Sequence, residues 1–170
     1  MTSIKILLFS ILLPSCTATL PFTSSIQKEY HLTEVQLKKV QFYTSDEIVL
    51  LRTNEESDVG VDAGKLLIRT EKDFEKIIIP RNSYCVLEQM VESNKFLMSL
   101  EVGGSETILF GYNIDGYYSL MAKDWKGRVG TISYGNKTFV TTNGSVYLNI
   151  KARQLNKLGG KWRRVHGRRI

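Results

Sequence analysis

Short runs of β-branched, aromatic and aliphatic residues recur from residue 38 to residue 151, and turn-forming residues separate them. Each run has the length of a strand, and no stretch shows a sustained helical period. About eight to ten such runs predict an all-β fold, a single small sandwich or partly open barrel of antiparallel strands.

The clearest local pattern lies between residues 128 and 151. Three strand-like runs are separated there by Gly135-Asn136 and by Asn143-Gly144. Asn-Gly favours a type I′ turn because both central residues of that turn have positive φ, and Gly-Asn suits a type II′ turn. The region therefore predicts a three-stranded meander. Upstream, residues 66–68 and 74–79 flank a polar stretch and predict a further hairpin.

The first sixteen residues have the layout of a secretory signal. Lys5 precedes an apolar run of eight residues, Ile6 to Leu13. A helix of that length cannot cross a hydrocarbon core of ~30 Å. Ser15 then places a small residue directly before Cys16. Three interpretations stay open: cleavage before Cys16 with acylation of that cysteine, which a resemblance to a bacterial lipobox implies, ordinary cleavage that releases a soluble secreted protein, or a buried helix at the start of a domain.

The sequence accordingly divides into four segments. Composition and strand patterning predict a signal peptide, then a cysteine with a small, polar tether, then the β domain, then a basic C-terminal arm. Their bounds are 1–15, 16–37, 38–152 and 153–170.

Charge is distributed unevenly between the body and the C-terminal end. Residues 16–150 hold fourteen basic and seventeen acidic residues, whereas residues 151–170 hold eight basic residues and no acidic one. The body is thus mildly acidic, and the last twenty residues are strongly basic.

The basic arm predicts an electrostatic role. Its expected contacts are anionic lipid or another acidic envelope polymer, an acidic groove of a partner protein, or nucleic acid, which an exported protein rarely meets. A solvated tail that aids solubility is the alternative. We expect a disordered or loosely docked arm whose candidate binding residues are Lys161, Trp162, Arg163, Arg164, Arg168 and Arg169.

Motifs for catalysis and metal binding are missing from the sequence. The chain has only two histidines, His31 and His166, and it contains no CxxC, HExxH, GxSxG or Walker motif. No enzymatic activity, cofactor or metal is therefore expected. Cys85 lies in an apolar run, where a small buried side chain is the expected role.

Two carboxylates keep a hydrolase alternative open. Asp115 and Asp124 flank the run from Tyr117 to Ala122, and paired carboxylates can serve as acid and base in glycoside hydrolysis. Turn formation by Asp115 next to Gly116 is the alternative explanation.

Aromatic residues are concentrated between residues 112 and 134. An exposed aromatic surface here can bind a glycan or a partner protein, and packing in a small β core is the alternative. Adjacent strand residues face opposite sides, so at least one of Tyr117 and Tyr118 is expected at the surface. The candidate residues for this surface are Tyr117, Tyr118 and Trp125.

The run Leu13-Pro14-Ser15-Cys16 resembles a bacterial lipobox, with Pro14 in place of the usual small or aliphatic residue. With the polar stretch that follows and the β body, it is similar to small envelope lipoproteins of Gram-negative bacteria. Residues 40–50 and the closing Gly167-Arg168-Arg169-Ile170 resemble small lipoproteins of Bacteroidota. By architecture, the β-sandwich lipoproteins of envelope-spanning secretion machines are also similar.

This resemblance implies a protein held in the outer membrane by an acylated Cys16 and facing the periplasm. Its expected function is that of a binding or assembly subunit with a protein partner, and nucleic acid is not expected as a ligand. The alternatives are an envelope hydrolase acting on glycan or peptide and a soluble secreted binding protein.

Overall fold

Two antiparallel sheets form the body of the protein in a computed structural model that describes residues 18–53, 59–62, 65–68, 74–104 and 106–158. They are not closed into a barrel, and the predicted all-β sandwich is confirmed. The described residues form fourteen strands, more than the predicted number because several are only two to four residues long.

The larger sheet has seven strands, and the first and last strands of the described chain lie side by side at one edge. In spatial order they are β1 (Thr19–Pro21), β14 (Leu148–Lys151), β2 (Phe42–Thr44), β7 (Tyr84–Glu92), β8 (Lys95–Ser99), β9 (Thr107–Tyr112) and β10 (Tyr118–Leu120). Isolated bridges, Thr23 with Tyr117 and Ser119 with Tyr147, tie β10 to segments next to β1 and β14.

The second sheet has five strands, and a separate hairpin lies between two of them in the chain. The five are, in spatial order, β11 (Trp125–Lys126), β12 (Val129–Tyr134), β13 (Lys137–Thr141), β3 (Ile48–Thr53) and β6 (Phe74–Ile79). The hairpin pairs β4 (Val59–Asp62) with β5 (Lys65–Ile68). The described residues also form three short helices: α1 (Ser24–Glu29), α2 (Glu34–Leu37) and α3 (Ala152–Leu158).

The Gly135-Asn136 hairpin is confirmed, but the pairings predicted around it are not. β12 pairs with β13 across this turn, where Gly135 has φ +56°. The prediction that the third strand continues this meander is wrong, because β14 pairs with β1 and β2 in the other sheet. Asn143 instead carries the chain between the sheets, and its Nδ2 donates to the Glu47 carbonyl at 2.8 Å.

The hairpin predicted for residues 66–68 and 74–79 is also wrong. β5 pairs with β4, whereas β6 pairs with β3 over six residues. The pairing with β3 places Ile48 opposite Ile79, both of which are buried. The sequence pattern, a polar stretch between two apolar runs, does not show that β6 pairs with β3. Side-chain burial decides that pairing, and it involves a strand that is distant in the sequence.

Aromatic side chains from the larger sheet and from the segment after β1 pack together in the hydrophobic core. The rings of Phe96 and Tyr118 stack with centroids 4.2 Å apart, and the Phe22 ring lies 5.1 Å from Phe42 and 5.3 Å from Tyr118. Tyr118 is 1 % exposed and the three phenylalanines are fully buried. Such pairs add to the free energy gained from burial alone, typically by about 0.5–1.5 kcal/mol each.

The predicted tether is wrong from residue 18 onward. β1 pairs with β14, and Phe22 is fully buried. Two helices follow, and the second ends at Leu37, which is also buried. Phe22 is the only aromatic residue of the small, polar stretch 17–28, and its ring fixes this stretch to the core. The β domain therefore begins by residue 19 instead of residue 38.

The domain also ends later than predicted. α3 follows β14 directly, and its Leu155 side chain is buried, so residues 153–158 belong to the fold and not to the arm. The rest of the predicted arm, residues 159–170, lies outside the described residues, as does the predicted signal peptide. No helix within the described ranges has both the length and the apolarity needed to cross a membrane.

Candidate functional site

The aromatic residues predicted at the surface have three different environments. Tyr118 points into the core, and its hydroxyl forms a hydrogen bond with Gln27. Its prediction as a surface residue is therefore wrong. Side chains alternate along β10, so Tyr117 and Ser119 face outward where Tyr118 faces inward.

Tyr117 is half-buried by a partner from the neighbouring segment. Its ring stacks on Tyr147 with centroids 5.2 Å apart, next to the bridge that joins Ser119 to Tyr147. Asn113 holds the turn before this strand, because its Oδ1 accepts from the Tyr117 N–H at 2.9 Å and its Nδ2 donates to Ser119 Oγ at 2.9 Å.

Trp125 is the predicted surface residue that the structure leaves open. Its side chain is 42 % exposed, and its ring lies over two glycines. Gly130 is its direct partner on β12, and Gly144 belongs to the crossing between sheets. A Cβ at Gly130 or Gly144 would lie 2.6 Å or 2.4 Å from indole atoms, so a side chain at either position would displace the ring. The two glycines form a seat for the indole.

A groove of about 540 Å³ runs beside this ring and is open to solvent. We call it the Trp125 groove. Arg128 is exposed on the turn after β11 and supplies a guanidinium group. The side chains that line the groove and that can contact a ligand are those of Trp125, Arg128, Asn113, Ser119, Thr142 and Ser145. An aromatic face, a fixed positive charge and several hydroxyls suit binding.

A larger cleft of about 700 Å³ lies between α1 and the turns of two hairpins. The Tyr118 hydroxyl is already bonded to Gln27, which also lines this cleft. Burial, with a smaller effect of nearby Tyr112, raises the pKa of Tyr118 to about 12, so this hydroxyl stays neutral. Tyr112, 45 % exposed, is the aromatic residue this cleft offers to a ligand.

The two carboxylates considered for hydrolysis do not share a cavity. Asp115 lies in the turn that the Gly116 N–H closes onto the Asn113 carbonyl, and the Asp124 carbonyl accepts from the Thr131 N–H. Neither lines the Trp125 groove or the larger cleft. In the described part of the chain, no group of three His, Cys, Asp or Glu side chains is arranged to hold a metal ion.

Acidic side chains instead gather near the end of β12, a cluster that the sequence did not indicate. The Tyr134 hydroxyl donates to Glu101 at 2.6 Å, and burial followed by this bond raises the pKa of Tyr134. Hydrogen bonds from Arg52 and then Lys137 lower the pKa of Glu75. The strands bring these residues together from distant parts of the chain, and the contacts stabilise the sheet.

Two other predicted groups have different outcomes. Cys85 is buried and unpaired, as expected for a small core side chain, and burial raises the pKa of its thiol to about 12. Cys16 and the candidate residues of the arm lie outside the described residues. Sequence reasoning did not identify Arg128 or Gly130 as part of a site, and it considered Gly144 only as a turn residue and not as a contact of Trp125. The available signal was the occurrence of glycines close to a tryptophan.

No protein-family model matches the chain, and neither curated proteins nor solved structures provide a match to it.

Proposed function

We propose that this protein is a lipid-anchored subunit of a bacterial cell envelope that binds a partner protein through the Trp125 groove. The observation that carries the proposal is the position of that groove relative to β1, the strand that begins three residues after Cys16. β1 and the groove contact opposite ends of residues 145–151.

The anchor end is defined by β1. Thr19 pairs with Lys151, so a lipid attached to Cys16 holds the C-terminal end of β14 near the membrane. Cleavage before Cys16 leaves Thr17 alone between the acylated residue and the first described residue, Ala18. The domain would therefore lie close to the bilayer and not on a long tether.

The groove end lies six residues earlier, at Ser145. At ~3.3 Å per residue of extended chain, this end is about 20 Å from the anchor end. The Trp125 groove would thus lie at the end of this segment that is distant from the anchor, where a partner can reach it.

The composition of the groove favours a protein partner. Tryptophan and arginine are the residues most enriched among those that dominate binding energies at protein interfaces. Trp125 is held in place by its glycine seat, so little side-chain entropy is lost on binding. A glycan ligand that stacks on the indole is the competing class, and an envelope hydrolase remains the alternative activity.

The test compares wild-type protein with Trp125→Ala and with Tyr112→Ala, a matched control for an aromatic residue of similar exposure outside the groove. Each is isolated with its bound proteins from gently solubilised envelopes. A protein retained by wild type and by Tyr112→Ala, and lost with Trp125→Ala, is then purified and titrated.

We expect Trp125→Ala to weaken that affinity by at least about tenfold, because central tryptophans commonly contribute about 2 kcal/mol or more. Equal affinity of Trp125→Ala and wild type would contradict the proposal. If the partner is lost with Tyr112→Ala but retained with Trp125→Ala, the binding site is the larger cleft and not the Trp125 groove. Binding of purified envelope glycan that depends on Trp125 would keep the groove but replace the partner class.

A further inference from the structure

We infer that the outward face of α3 docks on an anionic lipid bilayer beside the acyl anchor, so that the domain is attached to the membrane at two points. This inference rests on the proposed anchoring through Cys16. It concerns residues that the structure describes, Arg153 and Lys157, and names anionic phospholipid as their ligand.

The first argument is the contact between the two ends of the described chain. The Ala152 N–H donates to the Ala18 carbonyl at 3.0 Å, immediately after the pairing of Thr19 with Lys151. Cys16 is two residues before Ala18, which limits the separation of their Cα atoms to about 7 Å. A lipid on Cys16 therefore brings the start of α3 to the bilayer surface.

The second argument is the orientation of α3. Leu155 is buried, whereas Arg153 and Lys157 are exposed and, four residues apart, share one face. The Gln154 amide fixes this rotation by donating to the Gln41 carbonyl at 2.9 Å and accepting from the Gln41 N–H at 3.0 Å. The helix thus turns its apolar side to the sandwich and its basic side outward.

The third argument is charge. Arg153 and Lys157 are exposed, and within the described residues neither forms an ion pair. The sequence from residue 151 to residue 170 contains eight basic residues and no acidic one. Basic residues next to a lipid anchor are attracted to anionic headgroups, and a second attachment makes anchoring by acyl chains more stable.

The experiment uses residues 16–170 with Cys16→Ser, so that no acyl chain contributes to binding. Co-sedimentation is measured with vesicles of phosphatidylcholine alone and of phosphatidylcholine mixed with phosphatidylglycerol. Arg153→Glu/Lys157→Glu is compared with Lys76→Glu/Lys123→Glu, which makes the same change in net charge at exposed positions elsewhere. Circular dichroism checks folding, and Arg153→Gln/Lys157→Gln replaces the first variant if charge reversal unfolds it.

We expect binding to the mixed vesicles only, and weaker binding as salt rises to physiological strength, where the Debye length is about 8 Å. A basic residue near an anionic surface contributes about fivefold to partitioning, so reversing Arg153 and Lys157 should lower it at least about 25-fold. The control variant Lys76→Glu/Lys123→Glu should lose much less of its partitioning onto the mixed vesicles.

Equal losses in both double variants would overturn the inference, since only general attraction would remain. Binding to phosphatidylcholine alone at equal strength, or an unchanged affinity of Arg153→Glu/Lys157→Glu, would overturn it as well. None of these results depends on acylation. A failure here therefore leaves the anchor at Cys16 to be judged by its own measurement.

Discussion

The position of Trp125 depends on two residues that have no side chain. Gly144 has an ordinary φ, so its backbone does not require glycine, and the close approach of the indole is what excludes a Cβ there. The need for glycine at position 144 therefore comes from the neighbouring ring and not from the backbone conformation. This makes Gly144 a direct way to move Trp125 without changing the groove's other side chains.

Gly144→Ala should displace the indole and weaken partner binding about as much as Trp125→Ala. In a Trp125→Ala background the same change should have no further effect on binding, and should stabilise the fold by about 0.4–1 kcal/mol because alanine restricts the unfolded chain. A double-mutant cycle measures this coupling.

Fluorescence gives an independent readout of the ring's position. In a Trp162→Phe background Trp125 is the remaining tryptophan, and its emission should shift to the red in Gly144→Ala but not in the control Ser145→Ala. Additive effects in the cycle together with unchanged emission would show that the glycine does not form a seat.

Cys85 determines part of the response to alkaline pH. Burial raises the pKa of its thiol from 9.0 to about 12 in the folded protein. Between these values the unfolded chain loses the proton and the folded protein keeps it, so stability must fall as pH rises.

Cys85→Ala should make that fall less steep, by up to about 1.4 kcal/mol per pH unit. Urea unfolding between pH 8 and pH 11 measures the slope for both proteins. Comparing slopes separates this effect from the constant cost of the smaller side chain. Parallel slopes would mean that Cys85 keeps an ordinary pKa in the folded state.

At the scale of elements, β1 shows why the N-terminal boundary was difficult to predict. Only Leu20 and Phe22 are large and apolar among residues 17–25, and such a sparse pattern resembles a linker. The decisive interaction is the insertion of Phe22 among rings from β2, β8 and β10. A local pattern does not contain these distant partners.

Phe22→Ala should therefore destabilise the domain by about 3–5 kcal/mol, the usual cost of emptying an aromatic site in a core. Leu20→Ala, in the strand directly before Phe22, is the matched control. Leu20 is 38 % exposed, so its replacement should cost much less. Urea unfolding gives both values, and a small effect of Phe22→Ala would restore the tether interpretation.

The same reasoning explains which strands the sequence predicted well. Gly135-Asn136 encodes its hairpin locally, and the structure contains it. The destination of β14 depends on β1 and β2, about 130 and 105 residues earlier in the chain, and local turn residues do not specify such pairings. Trp125 was predicted as a surface residue, but its glycine seat depends on the crossing between the sheets.

At the scale of the whole molecule, the fold relates two surfaces that are distant in the sequence. β1, which follows the predicted acylation site in the sequence, and the basic helix α3 meet at the Lys151 end of β14, and the Trp125 groove lies at the other end. An envelope subunit needs such an arrangement to hold a partner away from the bilayer. Acylation of Cys16 is the claim on which this arrangement depends.

Mass spectrometry of the N-terminal peptide from the membrane-extracted protein tests that claim most directly. We predict that the mature chain begins at Cys16 and that this residue carries fatty acyl groups, whose burial contributes about 0.8 kcal/mol per CH₂. In Cys16→Ser, labelling by a fatty-acid analogue should be lost. A mature chain that begins elsewhere, or an unmodified Cys16, would contradict the account and favour a secreted protein.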